Sequence, residues 1–254
     1  MQKTELPMAY HTILGVRVHA VTMQEALDAA TAMIEAGGAH LVATANAEMI
    51  MRAQTEDALF DALNTSDLVI PDGAGVLWAG EQLGTPFPER VAGADFAAEL
   101  LKKAIHTGWP AYFLGAAPGV AMKAARHFMD TYGEFCLAGA HDGFFTEEQD
   151  GEIIDAIRKN KTKLLLVGMG VPKQELWMKK HKQELGDLLA IGVGGSFDVM
   201  AGTLSRAPLW MQRRRLEWAY RLCLQPSRCG RMMAIPRFMR AVKKWKEKRE
   251  GSGC

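Results

Sequence analysis

The sequence predicts an α/β protein, a mainly parallel sheet covered by helices on both faces, with a helical appendage at its C-terminal end. Three observations predict it. Short apolar runs that stop at glycine alternate with helix-period patterns through the first 200 residues, caps and turn residues separate them, and the last 50 residues carry no strand-like run. With 254 residues, 48% hydrophobic and 23% charged, the chain can bury an ordinary core.

The elements follow in order. Ile13 to His19 reads as a strand, and Thr22-Met23-Gln24-Glu25 is a capping box that opens a helix ending at Gly37-Gly38. His40 to Ala45 is the second strand. After a helical stretch, Asp67 to Pro71 is the third, and Ala111 to Gly115, Lys163 to Gly168 and Leu188 to Gly192 complete a set of six. In such a sheet ligands bind beyond the carboxyl ends of the strands, so the residues just after each run are the candidates for function.

Composition excludes several classes. No basic stretch followed by an apolar run opens the chain, and nowhere do 18 consecutive apolar residues occur, so neither secretion nor membrane spanning is expected. The cysteines (Cys136, Cys223, Cys229 and Cys254) lack metal-ligand spacing and read as reduced thiols of a cytosolic protein. The net charge of +1 hides an asymmetry. Residues 1–202 hold 16 Lys/Arg against 26 Asp/Glu, a balance of −10, and residues 203–254 hold 14 against 3, a balance of +11. The boundary divides an α/β domain, 1–202, from a basic appendage, 203–254.

The strand exits carry the motifs. Thr44-Ala45-Asn46-Ala47-Glu48 follows the second strand and Pro71-Asp72-Gly73-Ala74-Gly75 the third; Glu89-Arg90 precedes Gly93 and Asp95, where Asp95 suits a helix cap. Gly115-Ala116-Ala117-Pro118-Gly119 joins a strand to a helix, where backbone N–H groups can meet a diphosphate. It is not a G-x-G-x-x-G fingerprint, and no G-x-x-x-x-G-K-[ST] segment exists, which argues against dehydrogenases and P-loop nucleotidases. Gly168-Met169-Gly170-Val171-Pro172-Lys173-Gln174-Glu175 is a glycine-rich exit that puts Gln174 near a pocket mouth. Gly192-Val193-Gly194-Gly195-Ser196-Phe197-Asp198 permits close approach of a ligand, with Asp198 as an acceptor for ribose or base.

Taken in this order and together with Arg206-Ala207-Pro208, these motifs resemble the WecG/TagA/CpsF family of glycosyltransferases from about residue 12 to about residue 240. The resemblance implies a Rossmann-like sheet and transfer of N-acetylmannosamine, its uronic acid or a related sugar from a UDP donor to an undecaprenyl-diphosphate-linked acceptor. It implies Asp72 as catalytic base, with Thr44 and Gln174 beside it, and Arg221, Arg228 and Arg231 as further catalytic residues. Asn46, Gly73, Arg90, Gly115, Gly168, Gly170, Gly194 and Asp198 are the substrate-binding set. The favoured reaction is inverting transfer of N-acetylmannosamine to N-acetylglucosamine-diphospho-undecaprenol, as in wall teichoic acid linkage units. A different sugar, or a non-catalytic nucleotide-binding membrane scaffold, is the alternative.

The chain has no Asp-x-Asp motif of the kind that holds a divalent ion on a leaving diphosphate. No metal or other cofactor is therefore expected, and the arginines supply the positive charge. In the tail, Phe238, Met239, Val242 and Trp245 form an apolar stripe among Arg237, Arg240, Lys243, Lys244, Lys246 and Lys248. This pattern suits a helix lying on an anionic membrane, so the expected location is peripheral, on the inner face of the cell membrane. The alternative is a helix packed on the protein's own core. No nucleic-acid module accompanies the charge, and the oligomeric state is left open, a homo-oligomer included.

Overall fold

Runs such as Leu164–Gly168 and Leu188–Gly192 become parallel strands because they are apolar on both faces and offer no polar side to water. The computed structural model describes residues 8–203, 207, 208, 211, 220 and 234–251. β1 (Tyr10–Ile13) and β2 (Val16–His19) form an antiparallel hairpin. Then come α1 (Met23–Ala36), β3 (Ala39–Ala45), α2 (Ala47–Ala53), α3 (Asp57–Asn64), β4 (Leu68–Pro71), α4 (Ala74–Gln82) and α5 (Gly93–Thr107). β5 (Ala111–Gly115), α6 (Val120–Tyr132), β6 (Leu137–His141), α7 (Asp150–Lys159), β7 (Leu164–Gly168), α8 (Lys173–Lys180), β8 (Leu188–Gly192) and α9 (Ser196–Met200) follow. The C-terminal helix is Ala234–Gly251.

The main sheet has six parallel strands in the order β4-β3-β8-β7-β5-β6. Side chains alternate across it with period two. Val42, Ile70, Phe113, Leu166 and Ile191 join the core under α1, α5 and α6. Their neighbours Leu41, Leu114, Leu165, Val167 and Ala190 point the other way, to α7 and α8, and Ala43 and Val69 to the hairpin, α2 and α3. Two layers of helices thus seal the sheet.

The connections decide where a ligand fits. β5 leads outward through α6 to β6, whereas β7 leads the opposite way through α8 to β8, so the sheet's topological switch falls between β5 and β7. A crevice opens at the carboxyl ends of such a pair. Gly115 and Gly168 lie opposite each other there.

The structure corrects four details of the sequence reading. The run from Ile13 to His19 is broken at Leu14 and Gly15, which adopt φ of 50° and 84° in a two-residue hairpin turn. β6 was not expected; its sequence, Leu-Ala-Gly-Ala-His, lacks bulk, because Gly139 lies against the Tyr112 ring and leaves no room for a side chain. α5 begins at Gly93 with Ala92 at its cap, so Asp95 lies in the first turn and is not the cap.

The fourth correction concerns the tail. The C-terminal helix packs on α2 and α4, with Phe238 and Val242 fully buried and Trp245 partly buried in that cluster. Of the four stripe residues, Met239 alone is exposed. The stripe expected to meet lipid faces the protein's own core, because an α2–α4 groove of matching apolar residues is available within the chain. Arg237, Arg240, Lys243, Lys244 and Lys248 are left on the solvent side.

Candidate active site

The site forms along the carboxyl ends of five strands, from β4 to β5. At the β3 exit, Thr44 is buried and its Oγ1 donates to the Gly192 carbonyl at the end of β8, 3.1 Å away. Gly93 has to be small because a Cβ there would come within 2.6 Å of Thr44 Cγ2. Asn46 caps α2, accepting from the Met49 N–H at 3.0 Å, which holds its side chain at the head of that helix.

Asp72 follows β4, and its backbone N–H donates to the Ala45 carbonyl at 2.8 Å, so the β4 exit is tied to the β3 exit. Gly73 takes φ of 92°, a conformation that favours glycine, and lies against Asn46 Cβ. Arg90 Nη2 reaches Asp72 Oδ1 at 3.4 Å, and both side chains are about a quarter exposed. The pair holds the carboxylate at the β4 exit, partly exposed. Glu89, the other half of this motif, accepts from the Met23 N–H and caps α1. Thr44, Asn46, Asp72, Gly73 and Arg90 are thus brought together.

The second group surrounds the β5–β7 crevice. Gly115 and Gly168 meet backbone to backbone: a Cβ on Gly115 would lie 2.5 Å from the Gly168 carbonyl. Above them is a cavity of about 710 Å³ lined by Gly168, Ala116, Gly143, Phe144, Lys173 and Asp198, among others. It offers an exposed aromatic face at Phe144, a carboxylate at Asp198 and an ammonium at Lys173, which donates to the Gly143 carbonyl at 2.8 Å. Such a set suits a nucleotide, with the aromatic ring for the base, the carboxylate for hydroxyl or imide donors, and positive charge for phosphate.

Gln174 ties the β7 exit to the β8 exit. It is buried, not at the pocket mouth, and its Oε1 accepts from the Gly170 N–H at 3.2 Å and the Gly194 N–H at 3.0 Å. Its Nε2 donates to Glu175 Oε1 at 2.7 Å. Burial pushes the Glu175 carboxyl up to about 7, against the lowering effects of the Gln174 bond and the Arg52 charge.

Arg221, Arg228 and Arg231 lie outside the described residues, as does Arg206. Phe144, Lys173 and Gly143 were not among the sequence candidates. Lys173 stood in the Pro172-Lys173-Gln174 motif, and Asp142-Gly143 is a turn signal, but neither could be placed while β6 was unread.

The model of the Glycosyl transferase WecG/TagA/CpsF family matches residues 11–252. The chain is 34% identical over 207 residues to an N-acetylglucosaminyldiphosphoundecaprenol N-acetyl-beta-D-mannosaminyltransferase of Bacillus spizizenii, covering 82% of this chain and 79% of that one. It is 32% identical over 207 residues to a protein of the same name from Staphylococcus aureus strain NCTC 8325, covering 82% and 81%. Strand-end motifs, sheet and matched length agree: the chain belongs to the WecG/TagA/CpsF family and is a glycosyltransferase.

Proposed function

We propose that the enzyme moves N-acetylmannosamine from UDP-N-acetylmannosamine to N-acetylglucosamine-diphospho-undecaprenol, inverting the anomeric carbon. The observation that carries the reading is the partly exposed Asp72 carboxylate, paired with Arg90 on the same row of strand ends as the cavity lined by Phe144, Lys173 and Asp198. The names of the Bacillus and Staphylococcus relatives support the sugar and the acceptor.

In this reading the nucleotide occupies the β5–β7 crevice and the sugar points along the strand ends toward Thr44 and Asp72. Asp72 takes the proton from the acceptor hydroxyl as that oxygen attacks the anomeric carbon and the bond to UDP breaks. Arg221, Arg228 and Arg231 neutralise the departing diphosphate, a role for which a permanently charged, bidentate guanidinium suits, and no metal enters the scheme. The acceptor is lipid-linked, so the enzyme works at the inner face of the membrane. No helix among the described residues is long and apolar enough to cross a membrane. The exposed basic side of the C-terminal helix is the surface that meets anionic lipid.

A donor panel tests the reading. With a short-chain N-acetylglucosamine-diphospholipid, UDP release should occur with UDP-N-acetylmannosamine and be far slower with its uronic acid or UDP-glucose. Preference for either of the others would overturn the choice of sugar.

A further inference from the structure

We propose that Glu175 is a positioning residue for the donor pocket, its carboxylate holding the Gln174 amide in the one orientation that ties the β7 and β8 exits together. The inference rests on the donor reading above and adds the group that shapes the pocket's floor.

Two backbone N–H groups, from Gly170 and Gly194, converge on Gln174, and only the amide oxygen can accept both. Rotating the amide by half a turn would set its NH2 against two other donors. Glu175 Oε1, 2.7 Å from Nε2, reinforces that choice from the far side, since it is an acceptor and the flipped amide would set its own oxygen against it. Both side chains are almost wholly buried, so water does not replace a lost partner. Space has been kept for the pair: a Cβ on Gly192 would come within 2.6 Å of Gln174 Nε2 and 3.2 Å of Glu175 Oε1.

The loops so tied carry Gly168 and Met169 on one side and Asp198 on the other, all lining the cavity. Glu175 is not itself among the residues that line the cavity. Its second oxygen, Oε2, is buried and has no hydrogen-bond partner among the described residues, so the carboxyl can take up a proton there while Oε1 keeps its bond to Gln174. Among the described residues the cation that acts on it is Arg52 of α2, which donates to the Val171 carbonyl at 2.8 Å and pairs with Glu56.

The test is a double-mutant cycle read by calorimetric UDP binding and by steady-state kinetics. Glu175→Met should weaken UDP binding on the order of tenfold and raise the donor KM with kcat unchanged. Glu175→Gln, whose amide oxygen can take the same bond, should recover most of the loss. In a Gln174→Met background Glu175→Met should cost nothing further, because the group it orients is gone. Undiminished UDP binding by folded Glu175→Met, or additive losses in the double variant, would overturn the proposal.

Failure of the wild type to bind UDP would instead overturn the donor reading. Should the Met variant not fold, the wild type carries the test by NMR. As Glu175 titrates near pH 7, the Gln174 side-chain amide and the Gly170 and Gly194 backbone amides should shift with one common midpoint. Resonances that stay fixed through that titration would refute the coupling.

Discussion

Asp72 owes its place to the simplest rule in the sequence, that a parallel strand delivers its next residue to the ligand side of the sheet. Thr44, Asn46 and Asp198 were legible for the same reason. Asp72→Asn keeps size and hydrogen bonding but cannot take a proton, so transfer should fall by about 10²–10⁴-fold while UDP binding is retained. Near-normal turnover by the folded variant would remove Asp72 from the chemistry. The burial of Gln174 was not legible: spacing places it in the first turn of α8, but only the packing of β8 shows that the side chain points beneath the loops. His19 is another residue whose role required the fold. Its buried Nδ1 accepts from the Val69 N–H at 2.9 Å and joins the hairpin to the edge strand β4. Burial, with the Arg17 charge beside it, lowers its pKa below 6.5. The native state therefore binds fewer protons than the unfolded chain, and the stability His19 contributes is complete above pH 6.5 and lost as pH falls through that value toward the lower native one. Urea midpoints measured between pH 7.5 and 5.5 should fall more steeply for the wild type than for His19→Gln, and parallel curves would contradict this.

Among the elements, the fully apolar runs were legible and the half-buried ones were not. β5, β7 and β8 are buried at every position, so composition alone marks them. β6 is an edge strand of small residues, and the hairpin turns at Leu14-Gly15 without the Asn-Gly signal that usually marks such a turn. The capping box at Thr22 and Glu25 formed as read, with the Thr22 N–H donating to Glu25 at 2.8 Å. For the C-terminal helix, sequence showed an amphipathic stripe, but two surfaces could receive it and only tertiary structure decides between them. Phe238 lies against Gly75, three residues beyond Asp72, and is fully buried. Phe238→Ala should cost roughly 3–5 kcal/mol in chemical denaturation, the range for a large core aromatic. An unchanged denaturation midpoint would mean that the helix does not dock on α2 and α4 in solution.

For the whole molecule, charge is unevenly divided, with the first 202 residues acidic and the remainder basic. With Phe238 and Val242 turned inward, the proposed membrane contact rests on the exposed cations, each contributing on the order of 1 kcal/mol near an anionic surface. The variant Arg240→Glu/Lys243→Glu/Lys244→Glu should lose binding to anionic vesicles and keep its activity on a soluble acceptor, and raised salt should weaken wild-type binding. Vesicle binding unaltered by both changes would place the membrane contact elsewhere. The most direct measurement of the central claim is transfer of labelled N-acetylmannosamine from its UDP donor to a water-soluble N-acetylglucosamine-diphospholipid in excess EDTA. The account predicts one UDP released per inverted disaccharide product, at the same rate with and without the chelator. No transfer by folded protein, or transfer restored only by added Mg²⁺ or Mn²⁺, would contradict it.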